Sequence, residues 1–369
     1  MTSSAAMADS LDDRLKPLRD AIDAVDGRLV ELLNERARVA SEVGRIKHEV
    51  GAPVFRPERE AEVLRKVAAR SAGPLGEAAL SNIFREVMSA CRALERELKV
   101  AFLGPSGTFS ETAMQKQFGM SVNGLPCTTI DEVFRATEAG GADFGIVPVE
   151  NSSEGAVSRT LDLLLATPLH VLGEVSVPVH HNLLTRSGSM EHVTRICAHS
   201  QALAQCTGWL NQHWPSIERQ AVASNGEAAR MASEDATVAA IAGERAAQRF
   251  GLHAVAAHIQ DDPNNRTRFV VLGAQTTQPS APPARDKTSL ILSVPNRAGA
   301  VFHMLKPLAA HHVSMTRLES RPARVGTWEY YFYVDVEGHA DDPKVAAALG
   351  ELQKECAFYK CLGSYPAEQ

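Results

Sequence analysis

Apolar residues in the first hundred positions recur at helical spacing. Leu18, Ile22, Val25, Leu29, Leu32, Val39, Val43 and Ile46 follow a 4-3-4-3 rhythm, a heptad seam with Arg36 in one core position. A helix from Leu18 to Lys47 would run about 45 Å at ~1.5 Å per residue. The short helical unit around it cannot cover such a length by folding on itself, so pairing with a second chain, hence a dimer or a higher homo-oligomer, is expected. A second stripe (Phe84, Met88, Cys91, Leu98) contains Glu95. Residues 11–98 are rich in Arg, Glu, Leu and Ala and read as all-α. From Val100 to Ala274 the pattern changes. Short β-rich runs at Val100–Leu103, Phe144–Val147, Val175–Val177, Ala239–Ala242 and Arg268–Leu272 alternate with helical patterns, which predicts α/β layering over residues 100–275. Thr276–Arg285 (TTQPSAPPAR) reads as a Pro-rich linker. Residues 286–369 then give strand Ser289–Val294, helix Ala300–Ala310, strand Val313–Ser320, strand Trp328–Val336, helix Pro343–Glu355 and strand Ala357–Gly363. This βαββαβ order is the α+β ferredoxin-like arrangement.

Composition narrows the function classes. The 369 residues suit two or three domains, and 44% hydrophobic with 22% charged residues is ordinary for a globular protein. The net charge of −6 lacks the basic excess of a nucleic-acid binder. No apolar run reaches the ~20 residues that span a bilayer. Met1–Ser10 is small and polar and lacks a signal-peptide core, so it reads as a frayed tail on a cytoplasmic protein. Six scattered cysteines form no CxxC pair and read as reduced thiols. His253 and His258 do not share a helix face, and there is no HExxH, so neither metal nor cofactor is expected.

The candidate chemistry is anion binding. Arg36 on the seam needs a partner, because an unpaired buried charge is costly. A core Glu or snorkelling to the rim would also serve. Lys47, eleven residues on, shares the face of Arg36. Arg56-Pro57-Glu58-Arg59-Glu60 follows, with Pro57 suited to a first helical turn. Cations and an acid thus converge on one helical interior, which suits a small dicarboxylate. In the α/β part, three turns carry hydroxyls, amides or glycines at strand ends: Pro105-Ser-Gly-Thr-Phe-Ser110, Val149-Glu-Asn-Ser-Ser-Glu-Gly155 and Asn264-Asn-Arg-Thr-Arg-Phe269. Each alone is equally a capped turn, and the first lacks the Gly-Lys-Ser/Thr ending of a P-loop. Together they point to a carboxylate pocket outside the strand ends.

These segments carry resemblances. LRDAIDAVDGRLVELLNERARVASEVGRIK, PEREAEV and FREVMSACRALE resemble the all-helical chorismate mutases. The resemblance implies that Arg19 (from the partner chain), Arg36, Lys47 and Arg59 hold two carboxylates and an ether oxygen, with Glu60 at the ring hydroxyl. Arg56, Cys91 and Glu95 stand where that pattern can have Asp, Ser and Gln. A pericyclic rearrangement needs a folded conformer and hydrogen-bond donors. Glu95 is expected to donate as a protonated acid held among apolar neighbours, because a carboxylate cannot donate.

GPSGTFS, VPVENSSEG and NRTRFVVLG resemble prephenate dehydratase. That resemblance implies two lobes like a type II periplasmic binding protein, with the chain crossing near Val179 and Ile259. Thr267 would be the proton donor. Arg268 would bind a carboxylate, and Phe269 would desolvate the site. Ser106, Thr108, Asn151, Ser152 and Ser153 would contact substrate, with Ser200, Gln201, Ser224 and Asn225 on the opposite lobe. His181 matches a family histidine, with a core or hinge role the equal alternative. Asn296-Arg-Ala-Gly299-Ala300-Val301 and Glu319-Ser320-Arg321-Pro322 resemble the two ligand segments of a phenylalanine-binding ACT domain.

The whole chain thus resembles the bifunctional chorismate mutase–prephenate dehydratases (P-proteins). The implied reactions are chorismate to prephenate and prephenate to phenylpyruvate, with phenylalanine as feedback effector. Two alternatives stand beside this: a dehydratase preferring arogenate, and a non-catalytic ACT-containing binding protein. A turnover assay with both substrates separates them.

Overall fold

The computed structural model describes residues 3–368 except 283, 284, 296 and 324–329, with side chains from residue 11 onward. Helix α1 (Ser3–Glu49) is one 47-residue helix and begins inside the segment expected to fray. Its apolar seam is uncovered, with Leu18 61% and Val39 60% exposed. Helix α2 (Pro57–Arg70) starts on Pro57, and α3 (Glu77–Glu95) closes the helical unit. Where α1 meets α3 only glycine fits, since a Cβ on Gly44 would stand 2.5 Å from Glu95 Cγ. Phe55, between α1 and α2, packs into the next unit, tilted against Phe118 and edge-on to Phe144, at centroid distances of 4.8 and 5.3 Å.

The α/β unit has two lobes. The first contains β1 (Lys99–Leu103), α4 (Phe109–Phe118), β2 (Asn123–Cys127), α5 (Ile130–Glu138), β3 (Phe144–Asn151), β4 (Gly155–Ala156), α6 (Ser158–Ala166) and β5 (His170–Pro178). The second contains β6 (Asn182–Thr185), β7 (Arg195–His199), α7 (Ser200–Gln205), α8 (Thr207–His213), β8 (Glu218–Val222), α9 (Asn225–Glu234), β9 (Val238–Ala242), α10 (Glu244–Phe250) and β10 (His253–Ala256). The chain then returns to the first sheet as β11 (Arg266–Gly273), antiparallel between β3 and β5. The sheet orders are β2-β1-β3-β11-β5, with β4 on β3, and β10-β6-β9-β7-β8. The crossings between lobes are bonded to one another: Val179 N donates to Asn265 O and Ile259 N to His181 O, both at 2.8 Å. All five β-rich runs of the sequence pattern are strands. The polar or mixed strands β2, β6, β7, β8 and β10 had no comparable apolar signature.

The C-terminal unit is β12 (Asp286–Ser293), α11 (Ala300–Ala310), β13 (Met315–Pro322), β14 (Tyr330–Glu337), α12 (Pro343–Glu355) and β15 (Phe358–Pro366), with antiparallel order β13-β14-β12-β15. Both helices match their expected bounds; the expected strand start at Trp328 lies outside the described residues. Strand alternation splits the sheet's faces. Leu290 and Leu292 pack on Met304 and Leu352 of the helices. Ile291, Tyr333, Leu362 and Tyr365 instead join Leu161, Leu164 and Val171 of the first lobe in one core. The expected linker is no free tether. Thr277 Oγ1 donates to Ser364 O, Gln278 Oε1 accepts from Arg56 at 2.7 Å, and Ala281 O accepts from Arg65 at 3.2 Å. Pro283 and Ala284 lie outside the described residues.

Candidate active sites

A cleft of about 400 Å³ opens between the two lobes of the α/β unit. Thr108, Asn151, His181, Gln201, Ser224, Asn225, Thr267 and Phe269, all expected site residues, line it together. Thr267 and Phe269 share one face of β11. Asn151 Nδ2 donates to Thr267 Oγ1 and to Asn265 Oδ1, both at 2.9 Å, while its Oδ1 accepts from Ser153 N and Glu154 N at 3.0 and 3.1 Å. Because Oγ1 accepts from Asn151, the hydroxyl keeps its own proton for an acceptor in the cleft.

Among the described residues no Lys or Arg lines this cleft. Positive potential comes from two helix N-termini: α4, which follows Thr108 with no side-chain cap, and α9, capped by Ser224, whose Oγ accepts from Glu227 N at 3.0 Å. Their first-turn amides and dipoles favour carboxylates. The lobes touch beside them, where a Cβ on Gly226 would meet Pro105 Cγ at 3.0 Å and Ser106 O at 3.1 Å.

Five expected contacts lie elsewhere. Arg268 points away from the cleft, because strand alternation puts it on the face opposite Thr267, where it bonds Glu174, Asp335 and Tyr365. Ser152 is exposed and staples its turn, accepting from Arg266 N at 2.9 Å. Ser153 is exposed, with Oγ 3.4 Å from Asp262. Ser200 is exposed at the start of α7, and the Ser106 side chain flanks the cleft without lining it. Thr108 lines the cleft, yet its hydroxyl donates inward to Leu103 O at 3.1 Å.

Gln205 lines the cleft without having been among the expected contacts. Gln205 Oε1 accepts from Asn265 Nδ2 at 2.9 Å and lies 3.0 Å from His181 Nε2. Its i,i+4 spacing from Gln201 was the available signal. His181 is buried at the hinge, edge-on to Phe109 at 5.7 Å, with burial pushing its pKa down and the Gln205 bond opposing.

The helical unit assembles only part of its expected set. Lys47 Nζ lies 3.6 Å from Glu95 Oε2 and donates to Val54 O at 3.1 Å. Glu95 was expected among apolar neighbours, but Lys47 reaches it from the adjacent turn of α1, so the carboxylate faces a cation. Glu60 is bonded to Arg92, a buried arginine the motif reading passed over; burial raises the Glu60 pKa and the Arg92 charge opposes that. Cys91 is buried on α3. Arg56 caps the start of α2 and bonds Glu58 at 2.8 Å. Arg36 is half-buried, while Arg59 is 60% exposed and paired with Glu62. Arg19, 63% exposed and 3.1 Å from Asp12, is 28 residues from Lys47 along one continuous helix, hence about 42 Å away. It cannot reach Lys47 of its own chain.

In the C-terminal unit Gly299 has φ +78° and opens α11, with Ala300 buried and Val301 38% exposed. Ser293 and Arg321 both register with Tyr331, so the end of β12 and the Glu319–Pro322 segment lie at one end of the sheet. Ser320 and Pro322 are exposed; Glu319 and Arg321 face the other way, and Arg321 pairs with Asp162 of α6 at 3.2 Å. Asn296 lies outside the described residues.

Comparison with known proteins gives three family matches in chain order: chorismate mutase type II over residues 18–96, prephenate dehydratase over 100–277 and the ACT domain over 288–353. A bifunctional chorismate mutase/prephenate dehydratase of Neisseria gonorrhoeae is 49% identical, covering 98% of this chain and 99% of its own. Its counterpart in Pseudomonas aeruginosa is 45% identical, with 98% and 99% coverage. The crystal structure of prephenate dehydratase from Arthrobacter aurescens in complex with L-Phe is 34% identical at TM-score 0.66, covering 73% of this chain and 89% of that one. Three matched domains in one order, and near-complete coverage at these identities, place the chain in the family of bifunctional chorismate mutase/prephenate dehydratases.

Proposed function

We propose that the interlobe cleft is the dehydratase centre and that Thr267 is its proton donor. The observation that carries this is the Asn151–Thr267 bond of 2.9 Å, which leaves the Thr267 proton free to be donated in the cleft that Thr267 lines. In the reaction the bond from ring to carboxylate breaks and its electron pair enters the ring, releasing carbon dioxide. The ring C–O bond breaks in turn, and the hydroxide takes a proton relayed by Thr267 and leaves as water. Threonine is a weak acid, so its contribution is orientation within a hydrogen-bonded network rather than acidity. The N-termini of α4 and α9, with Gln201 and Asn225, hold the carboxylates, Asn151 orients Thr267, and Phe269 excludes water.

The mutase centre is completed by a second copy of the chain. Lys47 donates to the ether oxygen with Glu95 beside it, Arg36 and Arg59 bind carboxylates, Glu60 takes the ring hydroxyl, and Arg19 arrives from the partner. The uncovered seam of α1 and the ~42 Å between Arg19 and Lys47 support a homodimer. Phenylalanine is the effector, received at the end of the ACT sheet where β12 leads to Gly299–Val301 and β13 carries Glu319–Pro322. A cytoplasmic location fits these substrates.

Feeding chorismate to the full chain tests the whole scheme. Wild-type protein should form phenylpyruvate, and phenylalanine should suppress it. Thr267→Ala should accumulate prephenate at an undiminished rate and form no phenylpyruvate. Near-normal phenylpyruvate from that variant would refute the role of Thr267.

A further inference from the structure

Strands β3 and β11 run side by side with Asn151 opposite Thr267 and Glu150 opposite Arg268. In each strand, alternation sends one residue of a neighbouring pair to the cleft and the other through the sheet. On the far side both meet the ACT unit. Arg317 Nε on β13 donates to Glu150 Oε2 at 2.9 Å, and Arg268 Nη1 is 3.7 Å from the same oxygen. Arg268 Nη2 donates to Asp335 Oδ2 on β14 at 2.7 Å and to Tyr365 Oη at 3.2 Å; its Nε donates to Glu174 Oε2 at 2.8 Å. Asp335 is itself oriented by Ser289 Oγ at 2.6 Å, and Glu174 by Lys287 Nζ at 2.5 Å.

Glu174, Asp335 and Tyr365 are each at most 8% exposed. Burial opposes the charge on Arg268, and Tyr365, Asp335 and Glu174 outweigh it. A buried charge network of this kind is a weak source of stability, since apolar residues of the same volume would join two domains as well. Its distinguishing property is directional: it fixes the strand atoms that hold it. Those strands present Asn151 and Thr267 one residue away. Arg317 lies on the strand that also carries Glu319–Pro322.

We propose that Glu150 and Arg268 are positioning residues for dehydration, through which the ACT unit, gripping them with Arg317 and Asp335, sets the placement of Asn151 and Thr267. This rests on Thr267 acting in the cleft. Losing the grip should therefore lower turnover without loosening substrate binding.

The full chain is assayed with prephenate for dehydration and with chorismate for rearrangement. Glu150 is 41% exposed, so Glu150→Gln and Arg317→Met change the margin of the network, while Asp335→Asn changes its buried centre. Each should cut dehydration kcat about tenfold or more, as a small misplacement of a reacting group does. KM should stay within about twofold and rearrangement should not change. The double variant Glu150→Gln/Arg317→Met should be no worse than either single one, because both break the same contact. The proposal is overturned if kcat is unaltered in all three single variants. It is equally overturned if the losses multiply in the double variant while rearrangement falls in parallel, which marks general destabilisation. Thr267→Ala separates the two levels. If that variant still dehydrates, the cleft assignment fails; if it is dead while Glu150→Gln and Asp335→Asn are normal, only the positioning role fails.

Discussion

Thr267 and Asn151 stand 116 positions apart, yet the amide of one defines what the hydroxyl of the other can do. Both were legible as hydroxyl and amide residues in strand-end turns; the bond between them was not. Arg268 shows the converse. The resemblance implied a carboxylate ligand there, and only the pleat of β11 sends it to the opposite face. His181 carries the residue-scale prediction. Among the described residues its buried Nδ1 has no hydrogen-bond partner, and burial holds its pKa below the ordinary ~6.5 of histidine. The unfolded chain therefore takes up a proton at higher pH than the folded one. Stability from this group is fully present above the unfolded value and is lost as pH falls through the interval down to the folded value. Urea unfolding across pH 7.5 to 5 should show wild-type stability declining more steeply than that of His181→Gln. Equal slopes would mean that the ring titrates no differently in the fold.

At the scale of elements, α1 is the clearest case of pattern deciding structure. Its apolar rhythm predicts one long helix, and the helix is continuous. The uncovered seam then turns a single-chain structure into a statement about two chains. Mixing Arg19→Ala with Arg36→Ala chains tests it. Each homodimer would lack mutase activity, whereas a mixed dimer would own one site with both arginines. Random exchange should restore about one quarter of the wild-type sites. No recovery after exchange would place Arg19 and Arg36 in the same chain's site or outside it. The helices α11 and α12 matched their expected spans because Gly299 and Pro343 punctuate them. Strands such as β2 (NGLPC) and β8 (ERQAV) had little apolar signal, since their pairing partners supply the ordering.

For the whole molecule, the three units are bolted together rather than strung on linkers. Phe55 plugs the helical unit into the first lobe, and Tyr333 and Tyr365 carry the ACT sheet into the same lobe's core. A close backbone approach docks the ACT sheet at Gly363, at φ +141°, where a Cβ would stand 2.4 Å from Val171 O. Gly363→Ala should lower stability by about 1–3 kcal/mol, because the obstacle is backbone and cannot rotate aside. A thermal melt should reveal it as a lower midpoint, and an unshifted midpoint would mean the ACT sheet docks more loosely than this contact requires.

The order of three units, the long helix, the ferredoxin-like sheet and the turns that furnish the cleft were all determined by the linear chain, because periodicity, glycine and proline placement and capping residues act over a few neighbouring positions. Tertiary structure alone decided which side of β11 each motif residue faces, that helix N-termini rather than arginines border the interlobe cleft, and that Arg92, Gln205 and Asp335 stand behind the candidate site residues. Those facts depend on strands and helices brought together from distant positions, where no local pattern records which partner a side chain will find.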